Sequence, residues 1–185
     1  VNSIDYCSKF INYLSEIQSE LINKYKNNKY SPAYPTLNVG KINGGLAVNI
    51  IPNKCVMEFE IRDTPDMESK LFINKIKRFL KELELDMKKK VKNCKIELEV
   101  KNNFPPLLTD NSSDFISLCL QALKKNSTSA VSFGTEAGIF NEIGFETIVC
   151  GPGSIKQAHK PNEFIEIKQL DKCRDFILKL IELQY

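Results

Sequence analysis

Two loops in the second half of this chain carry residue types from which an active site could be built. The stretch GPGSIKQAHKPNEF, residues 151–164, contains His159, the only histidine among 185 residues. An imidazole can bind zinc through one ring nitrogen while a neighbouring acceptor holds the other. A lone histidine is more often not a ligand, and catalytic zinc normally has three protein ligands. This sequence alone therefore cannot supply an ordinary zinc site.

The second loop is SFGTEAG, residues 132–138, which contains Gly134, Thr135 and Glu136. A glycine allows backbone N–H groups to approach a ligand closely. Thr135 and Glu136 stand at the predicted start of a helix, where free N–H groups could bind an anion. The alternative is an ordinary helix cap with no ligand.

Two polar residues in the first half could bind a substrate. Arg62 ends a predicted strand, and a guanidinium group fits a carboxylate through two parallel hydrogen bonds. Asn49 precedes a proline-bounded kink and offers both a donor and an acceptor. The alternative for Arg62 is a surface salt bridge with Asp63 or Glu60.

The hydrophobic periodicity of the first hundred residues predicts an order of helix, strand, strand, helix, strand. The predicted segments are 1–25, 34–42, 54–62, 67–90 and 95–101. In the second helix we expect Leu71, Ile73, Ile76, Phe79, Leu80 and Leu83 to face inward. This is the order of a ferredoxin-like unit whose opening strand is missing. A different small fold is the alternative.

The proline-containing segment 102–113 predicts a boundary, which gives two domains at 1–103 and 104–185. Beyond it, helices and strands alternate, which is typical of part of an α/β layer. The predicted elements are helices at 113–125, 135–144 and 167–185 and strands at 129–133 and 145–151. The predicted fold class is therefore α+β, a ferredoxin-like domain followed by part of an α/β domain.

Composition argues against several classes of partner. The net charge is only +3, and the lysine clusters at 23–29 and 88–95 lack the interleaved aromatic residues of a nucleic-acid surface. The chain has no apolar run of membrane length and no signal peptide, so we expect a cytoplasmic protein without nucleic-acid or membrane partners. The six cysteines form no CxxC pair, and we expect reduced thiols that behave as small hydrophobes.

Three segments together resemble the aminoacylase/carboxypeptidase family of dinuclear zinc amidohydrolases. Residues 34–65 resemble the lid-domain signature of that family, with an Asn-x-Ile-Pro turn and a Glu-x-Arg-x-x-Pro strand end. Residues 132–164 resemble its final catalytic block, and residues 1–11 resemble its first lid helix. The resemblance implies a lid and dimerisation domain followed by the C-terminal part of a catalytic domain.

The resemblance also implies a role for each candidate residue. His159 would be the last ligand of the second of two zinc ions, with cobalt as an alternative metal. Asn49 and Arg62 would reach the substrate from the lid, with Arg62 on its carboxylate. Gly134 and Thr135 would line the substrate pocket beside Glu136. The implied substrate is a small N-acylated amino acid, and the lid would form a homodimer.

The chain departs from the family pattern at the metal centre. The His-x-Asp motif, the bridging aspartate, the Glu-Glu pair with the catalytic base, the next acidic ligand and a lid histidine are not in this sequence, and we expect them upstream of Val1. We therefore expect no catalytic base here and no activity from this chain alone. Two alternatives remain: a deacylase or dipeptidase for succinylated diamino acids or peptides, and a non-catalytic dimerisation or binding module.

Overall fold

The computed structural model describes residues 1–131, 133–158 and 160–184. The chain divides into two compact units, one of Val1–Asn103 with Val131–Gly134 and one of Phe104–Ala130 with Thr135–Tyr185. The elements are α1 (Ser3–Lys24), β1 (Thr36–Gly44), β2 (Cys55–Arg62), α2 (Ser69–Lys90), α3 (Asp114–Leu123), α4 (Ala137–Glu142) and α5 (Ile167–Glu182). This mixture of helices with a small antiparallel sheet confirms the predicted α+β class.

The first unit is a β-hairpin covered by two long helices. β1 and β2 pair antiparallel, from Thr36 opposite Arg62 at one end to Gly44 opposite Cys55 at the other. Alternate residues of β2 are partly buried and exposed, as the sequence pattern predicted. Met57, Phe59 and Ile61 are on the partly buried face and pack against the helices.

α1 begins at a side-chain cap. The Asn2 side-chain oxygen accepts hydrogen bonds from the backbone N–H groups of Ile4 (3.0 Å) and Asp5 (3.4 Å). Asn2 is thus the N-cap of α1. Asp5 lies in the first turn, where its charge favours the positive end of the helix dipole.

The core of the first unit consists of two adjacent sets of apolar side chains. One set is Tyr6, Phe10, Leu14, Ile76, Leu80, Leu83 and Met87, and the other is Ile17, Leu21, Tyr25, Met67 and Phe72. The prediction that Leu71 faces inward is wrong, because Leu71 is 40% exposed whereas Phe72 is 0% exposed. The buried stripe of α2 runs through 72, 76, 80, 83 and 87, and residue 71 lies about 100° away from it around the helix axis.

In the second unit, local signals set the ends of the helices. The Ser113 hydroxyl accepts a hydrogen bond from the Ile116 N–H (3.2 Å) and caps α3. Gly144 follows α4 with a φ of +94°, a conformation in which a Cβ would be strained. The backbone of Gly138 lies so close to Pro105 that a Cβ would be 1.8 Å from the Pro105 carbonyl oxygen.

Two predicted strands, 95–101 and 145–151, are not strands in the structure. A strand requires a neighbour for its backbone hydrogen bonds. The Ile96 N–H instead donates to the Glu84 carboxylate (3.1 Å), and the Thr147 carbonyl accepts from the Thr109 hydroxyl (2.8 Å). The third predicted strand, 129–133, includes Ser132, which lies outside the described residues.

In the described part of the chain, no helix combines the length and the apolar character that crossing a membrane requires.

Candidate functional site

Arg62 is the last residue of β2 and lies at the surface. Its Nε donates to the Glu60 carboxylate at 3.0 Å, and the two side chains are 61% and 51% exposed. This is one of the two salt bridges that the sequence left open as alternatives. An exposed pair of this kind contributes about 0.2–1 kcal/mol. A ligand carboxylate that forms two hydrogen bonds to the guanidinium could therefore displace Glu60 at small cost.

Asn49 lies in the exposed loop that joins β1 to β2. The loop turns at Gly45, whose φ is +82°, and again where the Ile50 N–H donates to the Ala47 carbonyl (3.1 Å). Two apolar side chains of the loop, Leu46 and Val48, are 90% and 109% exposed. The loop thus presents Asn49 beside apolar groups, a mixed surface that suits binding to another molecule.

The hairpin places Asn49 and Arg62 at opposite ends of the first unit. The loop with Asn49 follows Gly44, whereas Arg62 pairs with Thr36 at the other end of the ladder. Seven residue steps separate Cys55 from Arg62, a distance of about 23 Å at roughly 3.3 Å per residue. The sequence spacing of these two residues gave no indication of this separation. One small amino acid derivative cannot contact both side chains of the same chain.

The residues around the start of α4 form a local turn. The Ala137 N–H donates to the Thr135 hydroxyl (3.1 Å), so Thr135 bonds within its own turn. Glu136 precedes the helix without a side-chain capping bond. Within the described residues, and apart from the two chain neighbours of Gly134, no atom lies within 4 Å of the position that a Cβ would take there, so the space beside this glycine is open.

His159 lies outside the described residues, and its predicted ligand role stays a prediction. The chain just before it forms a turn. The Gln157 N–H donates a hydrogen bond to the Ser154 carbonyl (2.9 Å), and the Ala158 N–H donates one to the Ile155 carbonyl (3.3 Å). Among residues 1–131, 133–158 and 160–184, no three His, Cys, Asp or Glu side chains converge as metal ligands. These residues do not fit a dinuclear zinc centre by themselves.

Comparison with known proteins identifies the class of the first unit. Residues 1–88 match the family described as Peptidase dimerisation domain. The chain also resembles the crystal structure of an M20 family metallo-carboxypeptidase from Sulfolobus solfataricus, with a TM-score of 0.59 and 18% identity. This likeness covers 82% of the chain and 36% of the carboxypeptidase, and it supports the fold. Residues 1–88 are therefore similar to peptidase dimerisation domains.

Curated relatives extend the similarity over nearly the whole chain. Acetylornithine deacetylase of Buchnera aphidicola subsp. Acyrthosiphon pisum is 34% identical over 98% of this chain. The acetylornithine deacetylase of Pasteurella multocida is 30% identical, also over 98% of the chain. The chain spans about half the length of these relatives, 46% in both cases. The predicted resemblance to the aminoacylase/carboxypeptidase family is confirmed, and the chain is similar to acetylornithine deacetylases over nearly its whole length.

Proposed function

We propose that this chain is part of a cytoplasmic, metal-dependent amidohydrolase that converts N2-acetyl-L-ornithine to ornithine and acetate in arginine biosynthesis. The observation that carries this proposal is the 30–34% identity to acetylornithine deacetylases along 98% of the chain. This similarity includes the loops with the candidate residues. An amide substrate with a free carboxylate also suits the exposed guanidinium of Arg62.

Each candidate residue has a proposed role in this reaction. Arg62 exchanges its bond with Glu60 for two hydrogen bonds to the substrate carboxylate. Gly134 and Thr135 line the substrate pocket, and Glu136 lies beside them. His159 is the last ligand of the second zinc ion, with cobalt as an alternative metal. Metal ions held there would supply Lewis-acid polarisation of the amide carbonyl and a hydroxide nucleophile.

The catalytic unit is proposed to be a homodimer formed through the first unit. Asn49 and Arg62 of one chain lie too far apart to bind the same substrate. In a dimer with a twofold axis, the Asn49 loop of the second copy lies beside Arg62 of the first copy, so one substrate can contact both side chains. The match of residues 1–88 to a dimerisation domain supports this arrangement.

The chain by itself is proposed to be inactive. A dinuclear centre requires more donors than the single histidine of this sequence can provide. The purified 185-residue chain should therefore release no acetate from N2-acetyl-L-ornithine when zinc or cobalt is supplied. Release above that of a mock purification from a host that lacks its own deacetylase would contradict this proposal.

The proposed substrate is tested in a full-length protein that carries this sequence. Acetate release from N2-acetyl-L-ornithine should exceed turnover of an N-succinyl diamino acid and of a dipeptide. Preferred turnover of either would favour the related deacylase or dipeptidase, and stable dimers without hydrolysis of any of the three would favour a non-catalytic dimerisation module.

The role of Arg62 has a matched control in the same chain. Arg62→Ala should raise KM about 10- to 100-fold, since a hydrogen-bonded charge contributes about 1.5–3 kcal/mol. Arg174→Ala is the control, because Arg174 is also exposed and also pairs with a neighbouring acid, Asp175 at 2.8 Å. Equal effects of the two substitutions on KM would refute the assigned role of Arg62.

A further inference from the structure

Three sulfur atoms of the first unit meet where α1 begins and β2 starts. The Cys7 Sγ lies 3.9 Å from the Met57 Sδ. The Cys55 thiol lies near enough to Cys7 to contribute to the raised pKa of the Cys7 thiol. Cys55 and Met57 are two residues apart on β2, so their side chains share the partly buried face of the hairpin. The sequence patterns had indicated only apolar packing for these residues.

The surrounding backbone fixes the position of the Cys55 thiol. Gly44 lies directly opposite Cys55 in the hairpin register. A Cβ at Gly44 would be 2.9 Å from the Cys55 Sγ and 3.1 Å from the Ile4 side chain. The absence of a side chain at Gly44 therefore leaves the space that the sulfur occupies. All three sulfur-bearing residues are only partly buried, so none of them is sealed inside the core.

Two thiols and one thioether are a donor set for a soft cation. Thiolate and thioether ligands favour Cu(I), whereas Mg²⁺ and Ca²⁺ require oxygen ligands. With metal–sulfur bonds of about 2.3 Å, three sulfurs spaced evenly around one ion lie about 4.0 Å from each other. The distance of 3.9 Å between Cys7 and Met57 fits one edge of this triangle. Structural zinc requires a fourth donor, and no such donor joins the three sulfurs among the described residues.

We propose that Cys7, Cys55 and Met57 form a three-coordinate site for a soft monovalent cation of the Cu(I) and Ag(I) class. Binding forms metal–sulfur bonds to the two cysteines as thiolates and to the neutral thioether of Met57. Burial, with a smaller contribution from the neighbouring Cys55, raises the pKa of Cys7 to about 11. Each of the two cysteines releases its thiol proton to solvent when the ion binds, so two metal–thiolate bonds replace two S–H bonds. This site is independent of the proposed deacetylase function.

The test uses Ag(I) with the 185-residue chain, because Ag(I) binds like Cu(I) without changing its oxidation state. The chain contains three methionines, Met57, Met67 and Met87. Their isotope-labelled methyl groups give three NMR signals, which single Met→Leu variants assign. One equivalent of Ag(I) should shift the Met57 signal. The Met67 and Met87 signals should not move, because both residues are packed in the helical core.

Substitutions separate this site from the other thiols of the chain. Cys7→Ser should weaken Ag(I) binding about 100-fold or more, as measured by competition with a chelator of known affinity. Cys173→Ser is the control, because Cys173 lies on α5 of the second unit and should leave the affinity of this site unchanged. Met57→Leu nearly conserves volume, so it keeps the test valid if Cys7→Ser fails to fold.

Two results would overturn the proposal. One is a methyl signal of Met57 whose chemical shift does not change after one equivalent of Ag(I) has bound, because the ion would then be held by other thiols. The other is an Met57→Leu variant that binds Ag(I) as tightly as the unmodified chain. A shifted Met57 signal together with weaker binding by both site variants supports it.

Discussion

The separation of Asn49 and Arg62 leads to a complementation experiment in a full-length protein that carries this sequence. The two side chains lie at opposite ends of a hairpin about 23 Å long. In a twofold dimer, each active site then takes Asn49 from one chain and Arg62 from the other. Asn49→Ala and Arg62→Ala should each impair both sites of their own homodimer, which lowers acetate release when substrate is kept below KM.

Mixing the two variants should restore activity by a predictable amount. A dimer with one chain of each kind has one site with both substitutions and one site with neither. Random assembly of equal amounts gives about half mixed dimers, so about a quarter of the unmodified activity should return. If Asn49 and Arg62 acted in the same site within one chain, every site would carry one substitution and no activity would return.

The assay is acetate release after the variants are unfolded and refolded together, compared with the same variants refolded separately. Asn53→Ala is a matched control, because Asn53 is another exposed asparagine of the same loop. This substitution by itself should leave activity unchanged. A co-refolded mixture no more active than the average of the separate variants, with mixed dimers shown by mass spectrometry, would refute the reasoning.

Three further predictions concern the stability of the first unit and can be measured by urea unfolding. Phe72→Ala, at a fully buried position, should lower the unfolding free energy by about 3–5 kcal/mol, and Leu85→Ala on the exposed side of the same helix should cost far less. Thr64→Val should raise it by about 1 kcal/mol, because the buried Thr64 hydroxyl has no partner among the described residues; a decrease would contradict this explanation. The Tyr6 hydroxyl donates to Asp86 (2.7 Å) and lowers the pKa of that carboxyl. The stability that this bond contributes is therefore present above the unfolded pKa of about 3.9 and is lost as pH falls through the folded pKa. Tyr6→Phe should make the unfolding free energy depend less on pH in this acid range.

The sequence predicted most of the helices because their signals are local. Apolar residues at helical spacing predicted α1, α2, α3 and α5, and capping residues such as Asn2 and Ser113 marked where helices begin. Such signals act within one or two turns and need no information about distant residues. The error at Leu71 and Phe72 was one of phase, because two adjacent apolar residues leave the direction of the buried stripe undecided.

Strands were predicted less well than helices. The alternation in β2 gave the correct faces, but the same kind of alternation at 95–101 did not produce a strand. An alternation of apolar and polar residues shows only that one side of an extended segment is apolar. Whether a strand forms depends on a neighbour that supplies backbone hydrogen bonds, and that neighbour is distant in sequence.

The sequence by itself determined the relationship to the acetylornithine deacetylases, because loop motifs such as Asn-x-Ile-Pro at 49–52 are written in consecutive residues. Only the tertiary structure decided that Asn49 and Arg62 lie at opposite ends of a hairpin and that Cys7 meets Cys55 and Met57. The physical reason is that strand pairing and helix packing set distances between residues that are far apart in the chain, and residue spacing does not contain these distances.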